Sequence, residues 1–354
     1  MNLKHEIVNA LRKYDFSILI TVCSIFLIGI LNLYSAISSN PSPHMANLYK
    51  TQIMWFSLSI VVGIVVSFIH PKNYYRFSWA FYLFNVFLLI LVLIVGKKGM
   101  GAQRWLVLGP VRFQPSEMMK IALIFALARW YSNRSPDRPL DLKSIISPSI
   151  IAFIPAILVI VEPDLGTGLL LLLIFFTITF YRQLKWRSIA VLGVIGLISG
   201  ALMYNFGLKE YQKKRILTFI NPKADAKGSG YNAIQSEIAI GSGRLMGKGF
   251  KKSSQASLQY LPENHTDFVF SVFNEEHGFI GAIILVSLYV ILLLRMIWLS
   301  GVVVKIYDSI MVIGLMSIFF WHIFINMSMV MGLMPIVGLP LPLFSYGGSS
   351  LLTF

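Results

Sequence analysis

FSILITVCSIFLIGILNLYSA, residues 16–36, carries no charge and is long enough to cross a bilayer, which takes about 17–25 residues. It is too long for a signal-peptide core and lacks a small-residue cleavage site, so it reads as a retained anchor. Comparable runs follow near Thr51–Ile69, Tyr74–Val95, Met118–Tyr131, Ile145–Val161, Leu165–Tyr181, Ile189–Phe206, Phe279–Leu299 and Ser309–Met331. A last run begins near Leu343 and is still open at Phe354, so the final helix is expected to be truncated. The expected fold class is an all-α polytopic membrane protein of about ten transmembrane helices. One integral membrane domain spans residues 1–354, with a large extracytoplasmic loop region at 207–278 between helices 7 and 8.

Composition excludes a soluble globular protein. Hydrophobic residues make up 56% of the chain and charged residues 13%, against about 25% charged in soluble domains. The single cysteine, Cys23, lies in the first apolar run and allows no intramolecular disulfide. The net charge of +15 has a ready explanation in Lys- and Arg-rich cytoplasmic loops, and no nucleic-acid partner is expected.

With the amino terminus inside, the short basic arm MNLKHEIVNALRKYD lies at the cytoplasmic surface. Lys72, Arg134, Arg187 and Lys305 then fall on that side too. The segment 207–266 falls outside with Lys213, Lys214, Arg215, Arg244, Lys248 and Lys251. Long loops translocate largely regardless of charge, so this outer basic patch is compatible with the orientation without being required by it. Most acids also sort to the outer face, and any chemistry is expected there.

Four constellations stand out. In GAQRWLVLGPVRFQPSEMMK, residues 101–120, Pro115 looks like a helix start, and Glu117 and Lys120 share a face three residues apart. That pair is either a structural ion pair or part of a site in which Arg104 and Arg112 bind phosphate. In EPDLGTG, residues 162–168, Asp164 either caps the next helix or pairs with Lys120. Residues 213–250 combine glycines with Arg215, Arg244 and Lys248, a pattern suited to a phosphate nest or to anionic lipid headgroups. No Walker motif is present. The fourth is LPENHTDFVFSVFNEEHGFIG, residues 261–281, which sets His265, Asp267, Glu275, Glu276 and His277 among apolar residues. Ionisable groups near hydrocarbon are costly and mark function, although Glu275, Glu276 and His277 also suit the outer end of the next helix. There is no HExxH and no GxSxG.

Taken in order, six motifs closely resemble the shape, elongation, division and sporulation (SEDS) family over nearly the whole chain. They are GAQRWLVLGPVRFQPSE, EPDLGTG, RILTFINP, GYNAIQSEIAIGSG with GKG, LPENHTDFVFSVFNEEHGFIG and LPLFSYGGSS. Short loops and the PENHTDF form are closer to the elongation branch than to the division branch. KKSSQASLQY at 251–260 departs from a Gly-Thr-Gln pattern frequent in relatives.

The resemblance implies a glycosyltransferase of the bacterial cytoplasmic membrane that polymerises lipid II into peptidoglycan on the outer face. It implies that Asp267 is the catalytic aspartate, that Glu117, Lys120 and Asp164 form an intramembrane charged group, and that Arg112, Arg215, Gln235 and Ser236 are functional. Asp267 would be the general base in an inverting transfer to the acceptor 4-hydroxyl. Arg104, Arg112, Arg215, Arg244, Lys248 and His265 complete the expected substrate-binding set with Gln235 and Ser236. No metal ligand set is visible, and Mg2+ or Mn2+ is the one candidate cofactor. Expected partners are lipid II, polyprenyl-pyrophosphate-linked glycan, a class B penicillin-binding protein and other elongation-complex membrane proteins. The rival readings are a lipid II flippase, whose pathway the same buried charges would suit, and a scaffold for a penicillin-binding protein.

Overall fold

Apolar runs bounded by Pro, Gly and charged residues become helices because a membrane leaves backbone groups no partner except their own segment. The computed structural model describes residues 15–38, 47–99, 102–108, 111–134, 139–207, 210–225, 228–258, 260–261 and 263–354. The basic amino-terminal arm, residues 1–14, lies outside the described residues. The first three helices are α1 (Phe16–Ser38), α2 (Leu48–Ser67) and α3 (Pro71–Val95). After a small sheet come α4 (Pro115–Ser132), α5 (Leu142–Val161), α6 (Leu165–Tyr181) and α7 (Trp186–Leu202). Next are α8 (Glu210–Ile220), α9 (Ser229–Ser242) and the one-turn α10 (Ser254–Ser257). The chain ends with α11 (Val269–Val302), α12 (Ile306–Val330) and α13 (Gly348–Thr353).

Among the described residues, six helices are long and apolar enough to cross a membrane: α1, α2, α3, α5, α11 and α12. The apolar helices α6 and α7 are shorter. Outward-facing Leu27, Val65, Leu83, Ile94 and Ile284 would be a liability in water. Against lipid they are the expected surface, and the chain is a membrane protein.

Two apolar cores lie on either side of α12. One joins α3, α4, α5 and α6 through Leu89, Leu123, Leu127, Ala152, Ile174 and Ile178, with Ile310 and Ile318 contributed by α12. The other joins α1, α11 and the segment before α13 through Ile25, Phe273, Tyr289 and Phe344, with Ile323 and Met327 from α12. One helix thus touches both halves, and its polar residues can link them.

The structure amends the expected layout at two points, and the first adds strands to the helical chain. Residues 97–113 form an antiparallel sheet of β1 (Lys97–Gly99), β2 (Ala102–Leu108) and β3 (Val111–Phe113), in that order. Trp, Val, Leu and Phe in RWLVL and VRF favour strands, and Leu106 pairs with Phe113. Helix α4 still begins at Pro115, as the motif suggested. The second change is in α11, which starts at Val269 rather than Phe279 and breaks at Gly278 (φ 64°, ψ −163°). Glu275 and Glu276 are therefore buried within the turns before the break instead of marking an exposed helix start.

Candidate functional site

Asp267 sits in the turn that precedes α11, and three hydrogen bonds hold the backbone carbonyls of residues 265–267. Ser345 Oγ donates to the Thr266 carbonyl at 2.7 Å, and the Tyr346 N–H donates to the His265 carbonyl at 3.0 Å. From α12, Asn326 Nδ2 donates to the carbonyl of Asp267 itself at 3.0 Å. The carboxylate faces Gly338, where a side chain's Cβ would lie 3.3 Å from Oδ2. That glycine has φ 79°, so its lack of a side chain serves both the turn and the space beside the acid.

Burial pushes the Asp267 carboxyl up to about 6, with the negative charge of Glu263 adding to the rise and Arg215 opposing it. Such a group is largely ionised at neutral pH yet basic enough to accept a proton, which suits a general base. His265, two residues earlier, is held below the usual imidazole range by burial, with Glu263 opposing. It is therefore neutral at pH 7. Arg215 on α8 is exposed, and its Nη1 donates to the Ile336 carbonyl at 3.1 Å, tying α8 to the segment that carries Gly338.

A second polar group lies deeper, between α4 and α12. Lys120, fully buried, donates to both carboxylate oxygens of Glu117 at 2.9 Å and approaches His322 Nε2 at 3.1 Å. Its ammonium also lies 5.6 Å from the Phe354 ring centroid. Beside Glu117, a mainly apolar cavity of about 210 Å³ opens between α2, α4 and α13, lined by Trp55, Leu58, Gln114, Met118 and Leu352.

Asp164 does not take Lys120 as its partner. It caps α6 through the Thr167 N–H (3.2 Å) and Thr167 Oγ1 (3.0 Å), and Arg104 Nη1 lies 3.7 Å from its Oδ2. Arg104 also donates to the Pro163 carbonyl. Glu162, only 1% exposed, has no hydrogen-bond partner for either carboxylate oxygen among the described residues. Burial and the nearby Asp164 push it up to about 8, with Arg104 opposing, so it is mostly protonated at neutral pH.

The remaining expected site residues separate. Lys248 donates to Glu275 Oε1 at 2.6 Å, and Ser254 Oγ reaches the same oxygen at 2.6 Å. Ser253 Oγ donates to Oε2 at 2.5 Å. This lysine is occupied in fastening the 248–255 loop to α11. Ser236 is fully buried, bonded to Ser271 Oγ (2.7 Å) and the Val330 carbonyl (2.6 Å), which makes it a joint between α9, α11 and α12. Gln235 is half-buried on α9, and the Arg244 side chain is exposed. Arg112 has its backbone in β3, and its side chain lies outside the described residues. The geometry thus gathers Asp267, His265 and Arg215 into one group, and Glu117 and Lys120 into another, while Asp164 and Arg104 form a third.

His322, Asn326 and Glu162 are functional candidates that the sequence motifs alone do not single out. The signal for the first two was present in WHIFIN, residues 321–326. It places two polar side chains four apart on one face of a lipid-spanning helix, where they are costly unless used.

Comparison with known proteins gives a consistent result. The family model described as cell cycle protein, for FtsW, RodA and SpoVE, matches residues 16–354. The peptidoglycan glycosyltransferase MrdB of Escherichia coli K12 is 40% identical over 307 residues, covering 86% of this chain and 82% of the relative. A chain from a peptidoglycan synthase complex, solved in a study of how polymerization and crosslinking are coordinated, superposes with a TM-score of 0.82. It is 31% identical, over 96% of this chain and 94% of that one. The Thermus thermophilus rod shape determining protein RodA superposes at 0.71, also with 31% identity, covering 96% and 93% of the two chains.

Proposed function

Because the chain belongs to the FtsW, RodA and SpoVE family of cell cycle proteins, we propose that it is a peptidoglycan glycosyltransferase polymerising lipid II during cell elongation. The observation that carries the reading is Asp267, a half-buried carboxylate raised to about 6 and opposed by the Arg215 guanidinium. The Asp267 carboxylate takes the proton from the acceptor 4-hydroxyl. That oxygen bonds to the anomeric carbon of the donor, and the bond from that carbon to the pyrophosphate oxygen breaks. The electron pair leaves with the polyprenyl pyrophosphate, and attack opposite the leaving group inverts the centre. Arg215 and the exposed Arg244 supply compensating charge for the leaving group, whereas Lys248 is held by Glu275.

Among the described residues no group of three or more His, Cys, Asp or Glu could hold a metal ion. About ten helices, a cytoplasmic amino terminus and an outer loop region at 207–278 complete the topology. The long apolar helices and the Lys72, Arg134, Arg187 and Lys305 side chains between them support it. A class B penicillin-binding protein is the partner this reading implies. Its support is that a similar chain is part of a complex coordinating polymerization and crosslinking.

The test is glycan synthesis from lipid II by the purified chain together with its penicillin-binding partner. Asp267→Asn keeps the shape of the side chain and removes the base, and turnover is expected to fall by at least about 100-fold. Polymer made at near the parent rate by this variant would overturn the assignment.

A further inference from the structure

Two residues on one face of α12 grip consecutive carbonyls of the segment that packs over Asp267. Asn326 Nδ2 donates to the Leu339 carbonyl at 2.7 Å and to the Asp267 carbonyl at 3.0 Å. One turn earlier, His322 Nδ1 lies 3.2 Å from the Pro340 carbonyl, and its Nε2 lies 3.1 Å from Lys120 Nζ. An ammonium can only donate and a carbonyl can only accept, so His322 carries its proton on Nδ1 and accepts from Lys120 on Nε2. Both carbonyls facing Asn326 likewise demand the amide nitrogen, which fixes the orientation of that side chain.

Asn326 is fully buried, and its Oδ1 has no partner among the described residues. In a lipid-spanning helix an apolar residue would avoid the cost of that orphaned oxygen, so the two donated bonds must offset it. What they join is specific. The Asp267 peptide is locked to Leu339, whose neighbour Gly338 faces the Asp267 carboxylate.

We infer that Asn326 is a positioning residue, whose paired bonds to Asp267 and Leu339 set the carboxylate against Gly338 and so aim it at the acceptor hydroxyl. The inference rests on Asp267 being the base. Among the described residues, the charged groups acting on that carboxylate are Glu263 on its own turn and Arg215 on α8. Without the Asn326 bonds the turn keeps the Ser345 and Tyr346 contacts to Thr266 and His265. Asp267 itself loses its tie to α12 and shifts relative to both charges, and its carboxylate becomes more hydrated. A displacement of about 1 Å at a reacting group can cost about 100-fold in rate.

Asn326→Ala and the isosteric Asn326→Asp, each purified as the full chain with its partner, are assayed for turnover against lipid II concentration and pH. The expected result is a kcat reduced by about ten- to 100-fold in both, with KM within about twofold. The acid limb of the profile, expected near 6 in the parent, should shift toward the ordinary carboxylate range in the alanine variant. Parent-like kcat per folded molecule with an unmoved acid limb, accompanied only by a lower melting temperature, would reduce Asn326 to a structural role and overturn the inference. Asp267→Asn in the same assay separates the two levels. If it retains turnover, the base assignment fails and the positioning role falls with it. If it is inactive while both Asn326 variants match the parent, the positioning role alone is wrong.

Discussion

Gly247 and Gly278 interlock: a Cβ on Gly278 would lie 2.3 Å from the amide nitrogen of Gly247. The contact is the centre of an exchange of backbone bonds. Where α11 breaks, the N–H groups of Phe279 and Ile280 donate to the carbonyls of Arg244 and Leu245 at 2.8 and 3.1 Å. The N–H groups of Lys248 and Gly249 donate in turn to the carbonyls of Glu275 and Glu276, both at 2.9 Å. A broken helix near lipid is tolerable only when its freed groups find partners, and the 244–249 loop supplies them.

Gly278→Ala should therefore be among the most damaging single substitutions in the chain. It adds a conformation that is essentially restricted to glycine (φ 64°, ψ −163°), costing about 1–3 kcal/mol, to a backbone clash that no rotamer can relieve. Thermal unfolding in detergent should show a loss well beyond the ~1 kcal/mol of an ordinary substitution. Gly241→Ala, with nothing within 4 Å of its Cβ position, is the matched control and should be nearly neutral.

How far the sequence reveals this molecule depends on the range of the interaction concerned. The span Phe16–Ser38, the start of α4 at Pro115 and the Asp164 cap are local matters of apolar length and helix-end chemistry, and they follow from the residues. The Glu117–Lys120 pair also follows from i,i+3 spacing. The break at Gly278 does not, because a loop about thirty residues earlier creates it. Lys248 reads in the sequence as a cation for phosphate, but its partner Glu275 lies 27 residues away and only the fold brings the two together. Asn326 lies about sixty residues from the aspartate it holds, a separation that no periodicity reports.

The buried Glu117–Lys120 pair predicts strong coupling in a double-mutant cycle. Lys120→Met leaves the Glu117 carboxylate unpaired, and Glu117→Leu leaves an ammonium facing neutral His322. Each single change should cost about 3–5 kcal/mol, because an uncompensated charge remains buried. The double variant removes both charges and should be destabilised by clearly less than the sum. Unfolding free energies that simply add would show that the pair is not acting as a unit.

Glu162 gives stability a pH dependence with a defined window. Its folded-state value of about 8 lies above the unfolded value, so the folded chain binds this proton more tightly. The stabilising contribution is complete below about 4.5 and is lost as pH rises through about 8. Glu162→Gln mimics the protonated acid and removes that loss. Its melting temperature should match the parent near pH 4, exceed it increasingly up to pH 8 and level off above about pH 9. A constant offset across the range would show that Glu162 is not held protonated by its surroundings.

Asp267 obeys the same sign rule in a lower window, with an opposite consequence for activity. Its folded-state value is raised to about 6, so its stabilising contribution is present below about 4 and lost as pH rises through 6. A shift of about two units corresponds to at most about 3 kcal/mol. Asp267→Asn should therefore melt like the parent near pH 4 and above it at pH 7.5, while loss of the proposed base is expected to abolish polymer synthesis. Stability rises because the desolvated carboxylate that makes the site basic is also the group that strains it. The difference in melting temperature between parent and variant, measured at pH 4, 6 and 7.5, should grow through the interval in which the proposed base ionises. If the difference is the same at all three values, Asp267 has an ordinary carboxylate affinity and burial does not tune it as a base.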